Sequence, residues 1–198
     1  IVLEGNTDNY VSQNPYYLLP NIESGEITSE LSSQSRYVLV PLAQGIKKAD
    51  NIRDTLNISS ILTTSDSAYS KTNLKDMDTM EKEDGDIDGP FDLAVSITEK
   101  VGDDKETQIA YFASASIFND SINSMVSGTN YELLSASLAW MCSTDDSNQI
   151  SIPSKSYDTT TLTVPTADIN FWSIFVTGVL PVCTLLIGFG IWMKRRKQ

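Results

Sequence analysis

The chain has 198 residues, 26 of them acidic and 14 basic, for a net charge of −12, with two cysteines and no histidine. Without histidine, Ser-His-Asp and Cys-His catalysis, most zinc sites and any imidazole pH switch are excluded for these residues. An acid excess of this size also excludes a nucleic-acid binder, which needs a basic face. The charge is unevenly placed. Four basic residues close the chain at Lys194-Arg195-Arg196-Lys197, which leaves residues 1–170 with ten basic against 26 acidic side chains, or −16. Cys142 and Cys183 fall in regions of different character and are not expected to pair. A domain without disulfides stands on its own core, which suits a bacterial surface, particularly an anaerobe's. Ile1-Val2-Leu3 opens like the middle of a strand, so the chain reads as the C-terminal piece of a longer protein.

In chain order, an apolar start gives way to a loop punctuated by Asn14-Pro15-Tyr16-Tyr17 and Leu19-Pro20. The polar stretch Gly25–Ser35 carries at most a short helix. Tyr37-Val38-Leu39-Val40 is a continuous apolar run stopped by Pro41 and predicts a buried strand. Ile58–Thr64 has the β-branched content of a second strand, ended by Ser65-Asp66-Ser67. Lys71–Gly89 is crowded with acids and too poor in apolar residues for a core, so it reads as a solvated loop. Phe91–Thr98 and Gln108–Ser114, flanking Gly102-Asp103-Asp104, predict an antiparallel hairpin.

Thr129-Asn130-Tyr131-Glu132 has the form of a capping box. Behind it Tyr131, Leu134, Leu138 and Met141 recur at helical spacing, widened by Leu133 and Trp140, and predict a helix with that face buried. Ile150-Ser151-Ile152 alternates briefly before Pro153, and residues 154–170 read as a Ser/Thr-rich tether. From Phe171 to Met193 there are 23 residues without a charge. As a helix they reach about 34 Å, enough for a hydrocarbon core of about 30 Å. Phe171, Trp172 and Trp192 sit where aromatic rings favour the interface, and Lys194, Arg195, Arg196 and Lys197 orient the C-terminus to the cytoplasm. Pro181, Thr184 and Gly188 are small or kinking residues that let another helix approach. The expected organisation is therefore an extracytoplasmic domain over 1–153, the tether, a transmembrane helix over 171–193 and a cytoplasmic tail over 194–198.

Few motifs carry chemistry. Asp84-Gly85-Asp86-Ile87-Asp88-Gly89 matches the first half of a calcium loop, making Asp84, Asp86 and Asp88 the candidate Ca²⁺ ligands. Val95 stands at position twelve, where a bidentate glutamate is needed, and Pro90 follows the glycine, so a solvated acidic loop is the leading expectation. Asp103-Asp104 and Asp145-Asp146 lie in turn-like sequence, and the serines lack a G-x-S-x-G elbow. No P-loop or dinucleotide fingerprint occurs. Asn57-Ile58-Ser59 and Asn119-Asp120-Ser121 are N-glycosylation sequons. No catalytic residue and no cofactor is expected.

Several pieces line up in order with one family: Val2-x-Glu4-Gly5, then Leu39-Val40-Pro41-Leu42-Ala43-Gln44-Gly45, Leu62-Thr63-Thr64-Ser65 and Gly89-Pro90-Phe91-x-Leu93-Ala94-Val95. Asn130-x-Glu132-Leu133-Leu134 through Leu138-Ala139-Trp140, Ile150-Ser151-Ile152-Pro153 and the helix bearing Pro181 and closing at Arg195-Arg196 follow. The chain resembles the C-terminal half of the gliding-motility-type (GldG-like) auxiliary proteins of ABC-2-type transporters. That resemblance implies an extracytoplasmic α/β sandwich, similar to part of a glutamine-amidotransferase-like fold and without catalytic residues. It also implies partners, an ABC-2-type permease and its ATPase. The acidic loop Asp76–Asp88 and the absence of a tryptophan after Thr64-Ser65 depart from the family pattern. A single-pass bacterial adhesin or receptor is the alternative, although Val164-Pro165-Thr166-Ala167-Asp168 is not a sortase motif.

Overall fold

Mixed α/β structure is what this pattern of short apolar runs and one amphipathic stretch produces, followed by one long apolar helix at the C-terminal end. The structure, a computed structural model, describes residues 1–32, 36–73, 79–102, 106–142 and 164–196. In chain order the elements are β1 (Val2–Leu3), a 3-10 turn (Thr7–Asn9), β2 (Tyr17–Leu18), β3 (Asn21–Ile22), α1 (Ser29–Ser32), β4 (Val40–Pro41) and β5 (Leu56–Thr63). They continue through β6 (Tyr69–Ser70), β7 (Ile87–Asp88), β8 (Asp92–Lys100), β9 (Glu106–Phe112), α2 (Asp120–Met125) and α3 (Thr129–Met141). The last are α4 (Thr166–Ile174) and α5 (Leu180–Arg196), joined through a π turn at Phe175–Val179.

The main sheet has the order β3-β5-β8-β9 with every pair antiparallel. The predicted hairpin is β8–β9, in register from Ala94 against Phe112 to Lys100 against Glu106. Ile58, Ile97 and Ile109 stand directly opposite one another on one face, a β-branched row of the kind that stabilises cross-strand pairs. A bulge in β5 near Ile61 lets Ile61 and Leu62 both be buried at the base of this sheet. Two smaller sheets, β1-β6-β7 and β2-β4, complete the described strands.

Val38–Val40 is buried as expected, but Tyr37 is exposed and the pairing differs. The strand is only Val40–Pro41, paired with Tyr17–Leu18, and Pro41 lies inside it rather than ending it. Val38, Leu39 and Val40 are each fully buried because the extended segment runs between two hydrophobic clusters. Val38 and Val40 join Val2, Ile61, Leu62, Leu93, Ile117 and Leu133, whereas Leu39 faces Val11, Leu19, Ile122 and Val126. The backbone of Leu39 is satisfied by a side chain. Its N–H donates to Asn130 Oδ1 at 3.1 Å and its carbonyl accepts from Asn130 Nδ2 at 2.8 Å. Asn130 Nδ2 also donates to the Ile117 carbonyl at 2.6 Å. One buried amide thus supplies what a neighbouring strand would have given.

That bond also turns α3. Its buried positions are Thr129, Asn130, Leu133 and Ser137, while Tyr131 and Leu138 are exposed, so the predicted face Tyr131–Leu134–Leu138 is about one residue out of phase. The capping box is likewise not formed. Gly128, with φ +91°, is the N-cap, Thr129 Oγ1 donates to the Val126 carbonyl, and Glu132 pairs with Arg36. The short helix α2, not anticipated in the sequence, abuts α3 so closely that Asn123 Oδ1 accepts from the Tyr131 N–H at 3.0 Å and caps it instead. Ile150–Pro153 and most of the tether lie outside the described residues.

Candidate functional site: a terminal helix seated on the domain

Thr166–Arg196 forms one helical run of 31 residues, long and apolar enough to cross a membrane, and no part of its most apolar stretch is buried against the rest of the chain. It starts at Thr166, so residues 166–170 of the span read as tether are helical. The signal was present in Pro165 at the boundary and Asp168 in the first turn, both favoured where a helix begins. Pro181 has no N–H to donate, and the π turn Phe175–Val179 ends two residues before it.

The predicted anchoring residues occupy both ends of this run. Phe171 and Trp172 pack edge-on at 5.7 Å between ring centroids, and Phe175 joins both. At the far end Arg196 lies over the Trp192 ring at 5.4 Å, a cation–π pair, and Trp192 stacks on Phe189. Lys194, Arg195 and Arg196 fill the last turn of α5, where cations oppose the helix dipole; Lys197 lies outside the described residues. Pro181, Thr184 and Gly188 form one stripe, and Thr184 Oγ1 donates to the Pro181 carbonyl at 2.7 Å. The hydroxyl is therefore satisfied inside its own helix, and the space around Gly188 is open within 4 Å of where a Cβ would stand. The stripe is a smooth strip on the helix surface.

Sequence reasoning missed how this helix meets the domain. The Thr166 N–H and Oγ1 both donate to the Tyr10 carbonyl, at 3.3 and 3.0 Å, and Thr166 is buried. The first turn of α4 packs beside the 3-10 turn Thr7–Asn9. No local pattern announces a contact between residues so far apart in the chain.

The acidic loop holds the buried charge. Lys71, read as loop, is buried with its Nζ 2.6 Å from Glu83 Oε2 and 3.6 Å from Asp86 Oδ2. Burial alone would lower Lys71, but the hydrogen bond and charge of Glu83, with Asp86 beside it, hold its pKa above the ordinary value. Asp86 is held below the ordinary carboxylate range, chiefly by the Glu83 N–H at 2.9 Å and also by Thr72 and Lys71. This arrangement breaks up the candidate calcium ligands. Asp86 faces an ammonium, Asp88 pairs with Lys82, and Asp84 is exposed. Gly85 rather than Gly89 takes the positive φ, and no group of three metal-ligating side chains occurs among the described residues.

The motif residues that carried the family resemblance converge on each other rather than on a pocket. The Val2 N–H donates to the Ala43 carbonyl at 2.9 Å, and buried Glu4 accepts from the Ser65 N–H and Oγ at 3.2 and 2.6 Å. Thr64 Oγ1 accepts from the Phe91 N–H at 2.9 Å, and Asn130 holds Leu39. Gly5 lies against the Ser67 carbonyl, where a Cβ would stand 2.6 Å away. These residues build the core. Both cysteines are free and exposed. Compared with protein-family models, curated proteins and solved structures, the chain matches none of them.

Proposed function

We propose that the chain is a single-pass membrane protein that serves as a non-enzymatic accessory subunit of an ABC-2-type export system, with its α/β domain outside the cytoplasm. The observation that carries this reading is the uncovered terminal helix. Sixteen large apolar side chains stand exposed on a helix whose most apolar stretch packs on nothing in its own chain, and they need lipid or other helices around them. Its Pro181–Thr184–Gly188 stripe, with the one hydroxyl already satisfied, suits contact with the helices of a permease. The cationic last turn supports a cytoplasmic C-terminus. The resemblance to the auxiliary family supplies the transporter and the partial sandwich fold; the domain would gate or receive the exported cargo. Asn130, Glu4 and Lys71, which a catalytic reading would draw on, are engaged in holding the fold.

A surface-receptor reading draws on a different observation. Ile109 and Tyr111 are about half exposed on β9, the edge of the main sheet, and form an apolar patch on an acidic domain. Co-purification from the native membrane in mild detergent separates the two. Recovery of a multi-pass permease and an ATPase in near-equal amounts, lost on Gly188→Leu, supports the accessory subunit. Recovery of the chain alone, or with cell-wall material, overturns it in favour of the receptor.

A further inference from the structure

We infer that the face around the Thr7–Asn9 turn rests on zwitterionic phospholipid headgroups of the bilayer that the chain's own helix crosses, giving the domain a second membrane contact. The inference depends on the spanning reading above. Its core is a comparison of lengths. Thr166–Arg196, 31 residues, is about 46 Å long. That matches a bilayer with its headgroups, about 40–45 Å, rather than the hydrocarbon alone, about 30 Å. The uncharged run from Phe171 to Met193 fills the hydrocarbon, so residues 166–170 occupy the headgroup layer on one side and Lys194–Arg196 on the other.

Thr166 is the point at which the helix is bonded to Tyr10. From Thr166 to Phe171 is about 8 Å along the axis, little more than the depth of one headgroup layer. A turn packed beside Thr166 therefore has headgroups, not open water, beneath it. The chemistry fits. Tyr10, whose carbonyl makes the join, is partly exposed, and tyrosine is enriched at this depth. Asp8 and Asp168 are exposed there, and no lysine or arginine precedes Arg36. Such a surface gains nothing from anionic lipid and can pair with the ammonium of an ethanolamine or choline headgroup.

The test uses the full chain in nanodiscs of phosphatidylethanolamine and phosphatidylcholine, with Cys142→Ser and Cys183→Ser and one fluorophore-bearing cysteine at a time. Three positions are compared: Asp8→Cys beside the join, Asn57→Cys on exposed β5, and Phe175→Cys in the helix. With a headgroup-attached nitroxide lipid, the Asp8 label beside the join should be quenched at least about threefold more than the Asn57 label. Replacing half the lipid with phosphatidylglycerol should leave that quenching unchanged or lower it. Equal quenching of the Asp8 and Asn57 labels, while an acyl-chain nitroxide quenches the Phe175 label, overturns the headgroup contact and leaves the span standing. A Phe175 label untouched by the acyl-chain quencher overturns the span, and the inference with it.

Discussion

Asn130 and Lys71 show how single polar side chains hold this fold. Asn130 replaces a strand's hydrogen bonds, and Lys71 replaces an apolar core beneath a loop that has none. Their consequences differ in pH. The folded pKa of Asp86 lies below its ordinary 3.8, so its contribution is present above pH 3.8 and lost as pH falls through the folded value. The folded pKa of Lys71 lies above 10.5, so its contribution is full below pH 10.5 and lost as pH rises through the folded value. Thermal unfolding of the full chain in detergent should therefore show a stability plateau between these limits. Asp86→Asn should lower the plateau by several degrees and flatten the acid limb relative to the natural chain. An acid limb unchanged by the substitution would show that the Asp86 carboxyl is not held below its ordinary range in solution.

At the scale of elements, the parts legible in the sequence were those whose pattern is local. The period-two alternation of Phe91–Thr98 and the apolar run Gln108–Ser114 gave β8 and β9, and the β-branched run at Ile58–Thr64 gave β5. The pairings of the two-residue strands were not legible, because partners such as Val2 and Ser70 stand about 70 residues apart. The helix α3 was legible in place but not in rotation. Hydrophobicity ranked Leu138 above Ser137, whereas the unmet carbonyls of Leu39 and Ile117 required Asn130 to face inward, and Ser137 followed it at i+7. Leu133→Ala should cost about 2–5 kcal/mol, as for a large buried side chain. Leu138→Ser should change stability by less than about 0.5 kcal/mol, as for an ordinary surface site. Denaturant unfolding of the two variants checks the orientation; the opposite ranking would restore the face expected from hydrophobicity alone.

For the whole molecule, the terminal helix was the clearest feature of the sequence, and its length and flanks needed no tertiary information. Its seat on Tyr10 was not legible, because hydrogen bonds from a threonine to a distant carbonyl leave no periodic trace. Nor was the sharing of buried charge among Lys71, Glu83 and Asp86, separated by a stretch that reads as solvated loop. The proposed topology is a domain outside the cytoplasm on a helix that crosses the membrane. In that topology Cys142, at the end of α3, is outside and Cys183, inside α5, is within the bilayer. Intact cells are treated with a membrane-impermeant maleimide and their peptides mapped by mass. Cys142 should be modified before lysis and Cys183 protected throughout. Modification of Cys142 only after lysis, or of Cys183 in intact membranes, would contradict that topology.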